Sequence, residues 1–453
     1  MLSSWPGRYR CVSSDDRTTA HAGVLALVGL LQKLDLLDWM DEHLPSYSSN
    51  RAYEPHEYAF VQIANHATGG NCLEDSRSIS EDETLKYLLQ INDLPAPNTV
   101  GDWFRTATWG QTHRLRKKNR EIAWGILKQR GCKEVHIDID AKVHESDNRA
   151  ARWTYKKVRG YCPLYVTVPG EKLVLDALFR PGNCAPQGHN ASMVRTLLNA
   201  CPEWVEKLEV SLDAAGWQTA VVYALQRADA KKGLAVDYYI RPAAVGENPA
   251  YRVKDALSTI KEDEWRPWEP KGDQQRDPRG RELAETVITI GPATDPKSPE
   301  AMRLVVVREP LEDEPTEQLA FESAQRYRYM TVATNNEKLK AQKVIERYDR
   351  RGAAEDVIGE IVADGSAERF PMQSDEGNAL YLGLNILTFN LLQYMKDHDL
   401  PPSWRPLTPA SLRKRVINIA VRVSKHARYR YINFPQAFPW EEEFRGLLRA
   451  CWS

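Results

Sequence analysis

The chain has 453 residues, too many for one hydrophobic core, and roughly two to four domains are expected from that length. With 42% hydrophobic and 27% charged residues it is a globular protein, neither a low-complexity chain nor a membrane bundle. A formal net charge of −1 excludes overall attraction to an acidic partner, so a nucleic-acid binder of this composition must gather its charge into basic faces. The cysteines (11, 72, 132, 162, 184, 201 and 451) are odd in number and form no C-x-x-C. That pattern argues against zinc and a disulfide framework, and for a reducing cytosol. No charged-then-apolar leader opens the sequence. The longest apolar run, Ala379 to Met395, contains Asn385, Asn390 and Gln393, which predicts a buried helix rather than a membrane span.

Residues 1–20 are polar without a period and read as a loose N-terminus. Residues 21–130 read as a helical DNA-binding or dimerisation domain. Its segments are a pattern from His21 to about Leu44, a helix over Tyr53–His66, a break at Gly69-Gly70-Asn71 and a short helix over Asp82–Leu89. A turn at Pro95–Thr99 then leads to a helix over Val100–Ala107, with Thr99 and Asp102 spaced as a capping box. The helix from Thr112 to Gln129 carries Arg114, Arg116, Lys117, Lys118 and Arg120 in its first half. A helix-turn-helix DNA reader at 82–108 and a plain bundle are both compatible with this spacing.

At Lys133 the period changes to two. Glu134–Asp140 alternates as a strand, Tyr161–Val168 and Lys172–Phe179 read as two more, and Pro169-Gly170 is their hairpin turn. A helix over Asn190–Ala200, a strand Leu208–Leu212 ending in Asp213, a helix Gln218–Ala228 and a strand Val236–Ile240 follow. A meander followed by alternating strands and helices predicts an α/β mixed sheet over 131–241. Residues 242–325, rich in proline and charge, read as a β-rich insertion with isolated strands at Val287–Ile290 and Met302–Val307. Trp265 and Trp268 within it fit packing, or stacking on an extruded base. Residues 326–398 resume the core with a strand over Tyr327–Thr334. Residues 399–453 turn basic: in 401–453, ten Lys/Arg against three Asp/Glu give +7. A helix over Ser411–Arg428 is expected to present Arg413, Lys414, Arg415, Arg422, Lys425 and Arg428 to phosphate, with Tyr429, Tyr431 and Phe434 beyond it.

The chemistry centres on Glu346–Glu355, read as one helix. At about 100° per residue, Arg351 and Glu355 lie within roughly 60° of Tyr348, so a phenol, a guanidinium and a carboxylate point one way. Gly352 and Gly359 fall on the same side, which suggests close approach by something bulky, a phosphate backbone or a sheet. A solvated helix with an Arg–Glu pair is the bland alternative. Upstream, Asp138 and Asp140 share one face of a strand and Asp213 ends another. Three carboxylates at element ends form a site for hard divalent cations, magnesium above all, suited to phosphoryl displacement.

These residues resemble the DDE insertion-sequence transposases, whose helix bears a Tyr-x2-Arg-x3-Glu-x6-Lys signature. Tyr348, Arg351 and Glu355 match it, and Val362 stands at the lysine position. Ile137-Asp138-Ile139-Asp140-Ala141, Arg180-Pro-Gly-Asn183 and Leu212-Asp213-Ala214-Ala215-Gly216 resemble the flanking motifs. The resemblance implies an RNase H-like core with an inserted β domain, and a catalytic and metal-holding set of Asp140, Asp213 and Glu355. Asp138 is then a further ligand or a structural neighbour. It implies magnesium, with manganese able to substitute. Tyr348 and Arg351 are implied to contact DNA. The activity implied is cleavage and joining of double-stranded DNA at the inverted-repeat ends of an insertion sequence. A homodimer on the DNA and a bacterial, nucleoid-associated, cytoplasmic setting are also implied. A nuclease of the same fold without strand transfer, a silent DNA-binding descendant and a helical scaffold are the competing readings.

Overall fold

The computed structural model describes residues 16–228, 233–242, 253–270, 276–290, 300–311, 327–364, 369–398 and 400–452. The chain forms two compact units, residues 1–103 with 391–453, and residues 104–390.

The first unit is mostly helical, with helices Val24–Lys33, Leu36–His43, Pro55–Thr68 and Glu83–Leu89. Asp82 caps the last of these, its side chain accepting from Leu85 N. The terminal helix Glu441–Trp452 packs on Val24–Lys33: Lys33 Nζ donates to Ala450 O (2.9 Å) and Trp452 Nε1 to Leu25 O (3.0 Å).

Two expectations fail in this unit. Residues 16–20 are not loose, because Arg17–Thr19 is a strand paired with Val421–Val423. The basic tail is not one helix from Ser411 to Arg428. Helical turns end at Ile417, and Val421–His426 with Tyr429–Asn433 form a β-hairpin. The reason is legible in hindsight: Val421 and Val423 are buried and Arg422 is exposed, a period of two that a helix cannot satisfy. The residues expected on that helix are therefore split. Arg413 donates to the Ala67 and His66 carbonyls, and Arg415 stacks on Trp404 and Trp440. Lys414 is exposed, and Arg422, Lys425 and Arg428 are exposed on the hairpin.

The second unit is built on a nine-stranded mixed sheet. Its strands are β1 (Glu134–Ala141), β2 (Leu164–Val168), β3 (Leu173–Leu178), β4 (Lys207–Leu212), β5 (Ala235–Ile240), β6 (Arg266–Pro267), β7 (Glu282–Ile288), β8 (Met302–Pro310) and β9 (Tyr327–Thr334). Their order is β6-β7-β8-β9-β5-β4-β1-β2-β3. The strands β1, β4 and β5 run parallel, joined through the helices Asn190–Ala200 and Thr219–Gln226, and every other pairing is antiparallel.

The described strands of 242–325 are not isolated. They extend the main sheet, because β8 pairs from Arg303 to Pro310 with β9 and β9 pairs with β5. Residues 243–252, 271–275, 291–299 and 312–325 of that expected insertion lie outside the described residues. Trp268 is buried in the core with Tyr239, Val305 and Tyr348, so packing is its role.

Two helices cover β3, the edge strand. Trp109–Gln129, expected with the N-terminal helices, belongs to this unit. Its Arg116 and Arg120 are not a DNA face, since both donate to the fully buried Asp176 on β3. Asp375–Met395, the predicted buried helix, sends Asn390 to the same strand. Asn390 Oδ1 accepts from Val174 N (3.0 Å) and Nδ2 donates to Val174 O (2.8 Å), so a side-chain amide completes the ladder that an edge leaves open. Among the described residues no helix is long and apolar enough to cross a membrane.

Candidate active site

The site lies at the C-terminal end of β1 and β4. Alternation along β1 buries Val135, Ile137 and Ile139 on one face and sets His136, Asp138 and Asp140 on the other. The parallel register pairs Asp138 with Ser211 and Ile139 with Leu212, so Asp213 follows β4 level with Asp140. Asp213 is then fixed by its own turn: its Oδ1 accepts from Ala215 N (2.9 Å) and caps the one-turn helix Ala214–Gly216. Glycine is needed at 216, because a Cβ there would stand 2.4 Å from Leu212 Cβ.

The tract from Glu346 to Glu355 is not one helix. Ala341–Asp349 ends, Arg350 and Arg351 turn, and Gly352–Ala363 begins. The turn is tight, with Arg351 N donating to Tyr348 O and Arg350 N to Arg347 O. A helical glycine at 352 weakens the continuous helix where the chain bends. Two arginines pin the segment to the sheet. Arg347 Nη1 donates to the buried Glu209 on β4 (2.9 Å), and Arg351 Nε donates to Asp138 Oδ1 (2.6 Å). Arg351 Nη2 lies 3.5 Å from Asp140 Oδ1, and Nη1 donates to the Tyr348 hydroxyl (3.1 Å).

Tyr348 is buried against Val344, Ile345 and Tyr239, so its phenol faces the protein interior. Glu355 is exposed in the first turn of its helix, where a carboxylate suits the helix dipole. Among the described residues, nothing outside their own helix backbone and chain neighbours lies within 4 Å of where a Cβ on Gly352 or Gly359 would stand. The sheet therefore does not approach that side, which is open. Beside it, Pro169, Lys172, Glu355, Gly359 and Glu360 line a cleft of about 380 Å³, with Lys172 Nζ 2.5 Å from Glu360 Oε1.

The electrostatics mark the same place. Asp138 is 1% exposed, and burial, opposed by Arg351 and aided by Asp140 and Asp213, pushes its carboxyl up to about 7. Burial also raises Asp140, with the charges of Asp213 and Glu355 adding to it and Arg351 and the Ala141 amide opposing. Asp140 thus feels both other members of the expected triad. Carboxylate oxygens are the donors a hard cation takes. Asp138 Oδ2 is buried without a hydrogen-bond partner, and the repulsion on Asp140 is what a bound cation relieves. The donors fit magnesium or manganese in kind. Among the described residues no three of them converge closely enough to hold an ion, and Arg351 is the cation that bridges Asp138 and Asp140.

Of the sequence-predicted residues, Asp138, Asp140, Asp213, Tyr348 and Arg351 are gathered here, with Glu355 at the rim. Arg413, Lys414, Arg415, Arg422, Lys425 and Arg428 belong to the other unit. Sequence reasoning missed the Arg347–Glu209 pin. It also missed the basic aromatic stretch Arg149–Arg159, where five Lys/Arg beside Trp153 and Tyr155, with no acid, were the available signal.

Acidic strand ends on a mixed sheet thus lie beside a helical segment that carries Arg351 and Glu355. The family Transposase DDE domain group 1 matches residues 11–451, and the chain belongs to it. A solved structure, the synaptic complex of piggyBac transposase with hairpin DNA, is similar over 84% of this chain and 77% of its own, at 12% identity and a TM-score of 0.39. No curated protein matches the sequence.

Proposed function

We propose that this transposase cleaves DNA at the inverted-repeat ends of an insertion sequence and joins the freed 3′-hydroxyl to target DNA. The observation that carries the reading is the adjacency of Asp140 and Asp213 at neighbouring parallel strand ends, with the charge of Glu355 acting on Asp140. The order β3-β2-β1-β4-β5, antiparallel then parallel, supports an RNase H-like core extended by β9, β8, β7 and β6.

In this reading Asp140, Asp213 and Glu355, which among the described residues do not converge on an ion as they stand, would hold magnesium or manganese once substrate draws them together. Bound there, the ions would supply nucleophile activation and neutralisation of the leaving oxygen. Asp138 does a different job, holding Arg351 and through it the Glu355 helix. Arg351, at the surface of the carboxylate cluster, compensates its charge until substrate and ions enter. Lys172, paired with Glu360 and lining the same cleft as Glu355, stands in for the lysine that position 362 lacks. Lys414 and the hairpin residues Arg422, Lys425 and Arg428 contact phosphates of double-stranded DNA, and two copies of the chain pair two element ends.

The test is incubation of the full chain with DNA bearing the repeats that flank its coding region, with and without Mg²⁺. Cleavage followed by joining supports transposition. Cleavage alone supports a nuclease, and a gel shift alone supports a silent descendant.

A further inference from the structure

Between Asp140 and β2 the chain leaves the main sheet and returns as an arm of three short strands. They are His144–Glu145, Arg152–Trp153 and Arg159–Tyr161, the last in the middle. The arm is rooted at the carboxylates: Ala141, next to Asp140, pairs with Leu164, and Lys142 N donates to Pro163 O (3.1 Å).

It is held firmly within its unit. A Cβ at Gly160 would stand 2.0 Å from His144 O, and one at Gly182 would stand 2.3 Å from Gly160 O and 2.4 Å from Arg152 O. The two glycines therefore let three backbones close on one another. The buried His144 and Tyr165 side chains meet at 3.0 Å, and Asn148 Nδ2 donates to Met372 O (2.7 Å).

The outer surface of this arm is basic and aromatic. Residues 149–159 hold five Lys/Arg and no acid. Arg159 is used inside, donating to the Asn148, Arg149 and Ala151 carbonyls, and Arg152 lies 3.7 Å from Asp375. Arg149, Lys156 and Lys157 are exposed with it. Thr154 is buried between Trp153 and Tyr155, so both rings stand outward, 66% and 49% exposed. Burial, then Cys162 and the Asp140 and Asp213 carboxylates, push the Tyr155 hydroxyl up against the opposing effect of Arg180, as fits a ring at the mouth of the site. Packing explains neither ring. Stacking platforms beside cations are what a single DNA strand recognises, because every base offers a face and every linkage a charge.

Resting on the transposase reading above, we propose that the arm 142–163 grips the unpaired DNA strand leading to the scissile phosphate. Bases stack on Trp153 and Tyr155, and phosphates meet Arg149, Lys156 and Lys157.

The test is fluorescence anisotropy of the full chain on a blunt duplex and on the same duplex with a single-stranded tail, over a salt series. Trp153→Ala/Tyr155→Ala should bind the blunt duplex as wild type does and the tailed probe about ten-fold or more weakly. Trp153→Phe should restore much of the loss, and thermal melts of all variants should match wild type. Lys156→Ala/Lys157→Ala should lower the salt slope on the tailed probe by about 1.4, two single-strand contacts at ~0.7 each. The proposal is overturned if both variants bind the tailed probe as wild type, or if the aromatic variant weakens both probes equally. It is overturned too if these variants lose binding to anionic lipid vesicles while keeping DNA. A wild-type chain that binds neither probe at any salt overturns the transposase reading itself.

Discussion

Replacing Arg351 with glutamine tests whether the buried pair with Asp138 carries the load assigned to it. Asp138 is 1% exposed and sits at about 7, against 3.8 for a free aspartate. Its folded pKa is raised, so the contribution of Asp138 to wild-type stability falls as pH rises from about 4 to about 7, and levels once the group is ionised. Without the guanidinium 2.6 Å away, the carboxyl is held higher still, and the decline continues above pH 7. Below that range Arg351→Gln loses little more than hydrogen bonds, about 1 kcal/mol. Above it the cost should grow by ~1.4 kcal/mol per pH unit, reaching roughly 2 kcal/mol more at about pH 8.5 than at about pH 5. Urea denaturation at both pH values measures this, and in an Asp138→Asn background the pH dependence of the arginine variant should vanish. An equal cost at the two pH values, or a dependence that survives Asp138→Asn, refutes the reasoning.

Further outcomes follow from the same geometry. Asn390→Ala strands the amide and carbonyl of Val174 on the edge strand and should cost about 2–4 kcal/mol in urea denaturation. Gly216→Ala forces a Cβ to 2.4 Å from Leu212 and should shift the Asp213 turn, destabilising by about 1–3 kcal/mol and slowing strand cleavage. Lys425→Ala/Arg428→Ala, both on exposed positions, should leave stability unchanged and reduce the salt slope of duplex-DNA binding by about 1.8.

The aspartates and their strands were readable because strand alternation and a strand-ending aspartate are local patterns, whereas the single helix expected over Glu346–Glu355 is broken at Arg350 and Arg351. Asp138 and Asp140 sit on the strand their spacing predicts, and Asp213 directly follows the end of the next. What lay beyond the sequence was set by partners far along the chain. Arg351 was expected to reach DNA from the face it shares with Tyr348 and Glu355, yet it turns inward to a buried aspartate 213 positions earlier. Arg116, Arg120 and Arg413 counted as basic surface, and each is consumed by a buried acceptor. The strands of 282–310 looked isolated because pairing with β9 spans residues that carry no periodic signal. The hairpin at 421–433 was misread through charge, where the two buried valines held the better information.

Strand cleavage by Asp140→Ala, Asp213→Ala and Glu355→Ala on DNA bearing the element's ends is the most direct measurement. All three should bind that DNA as wild type does and cut none of it, with Mg²⁺ or Mn²⁺ supplied. Cutting by any of the three contradicts the shared role of these carboxylates. Cutting by Asp140→Ala with none by Asp138→Ala would move the first catalytic position to Asp138.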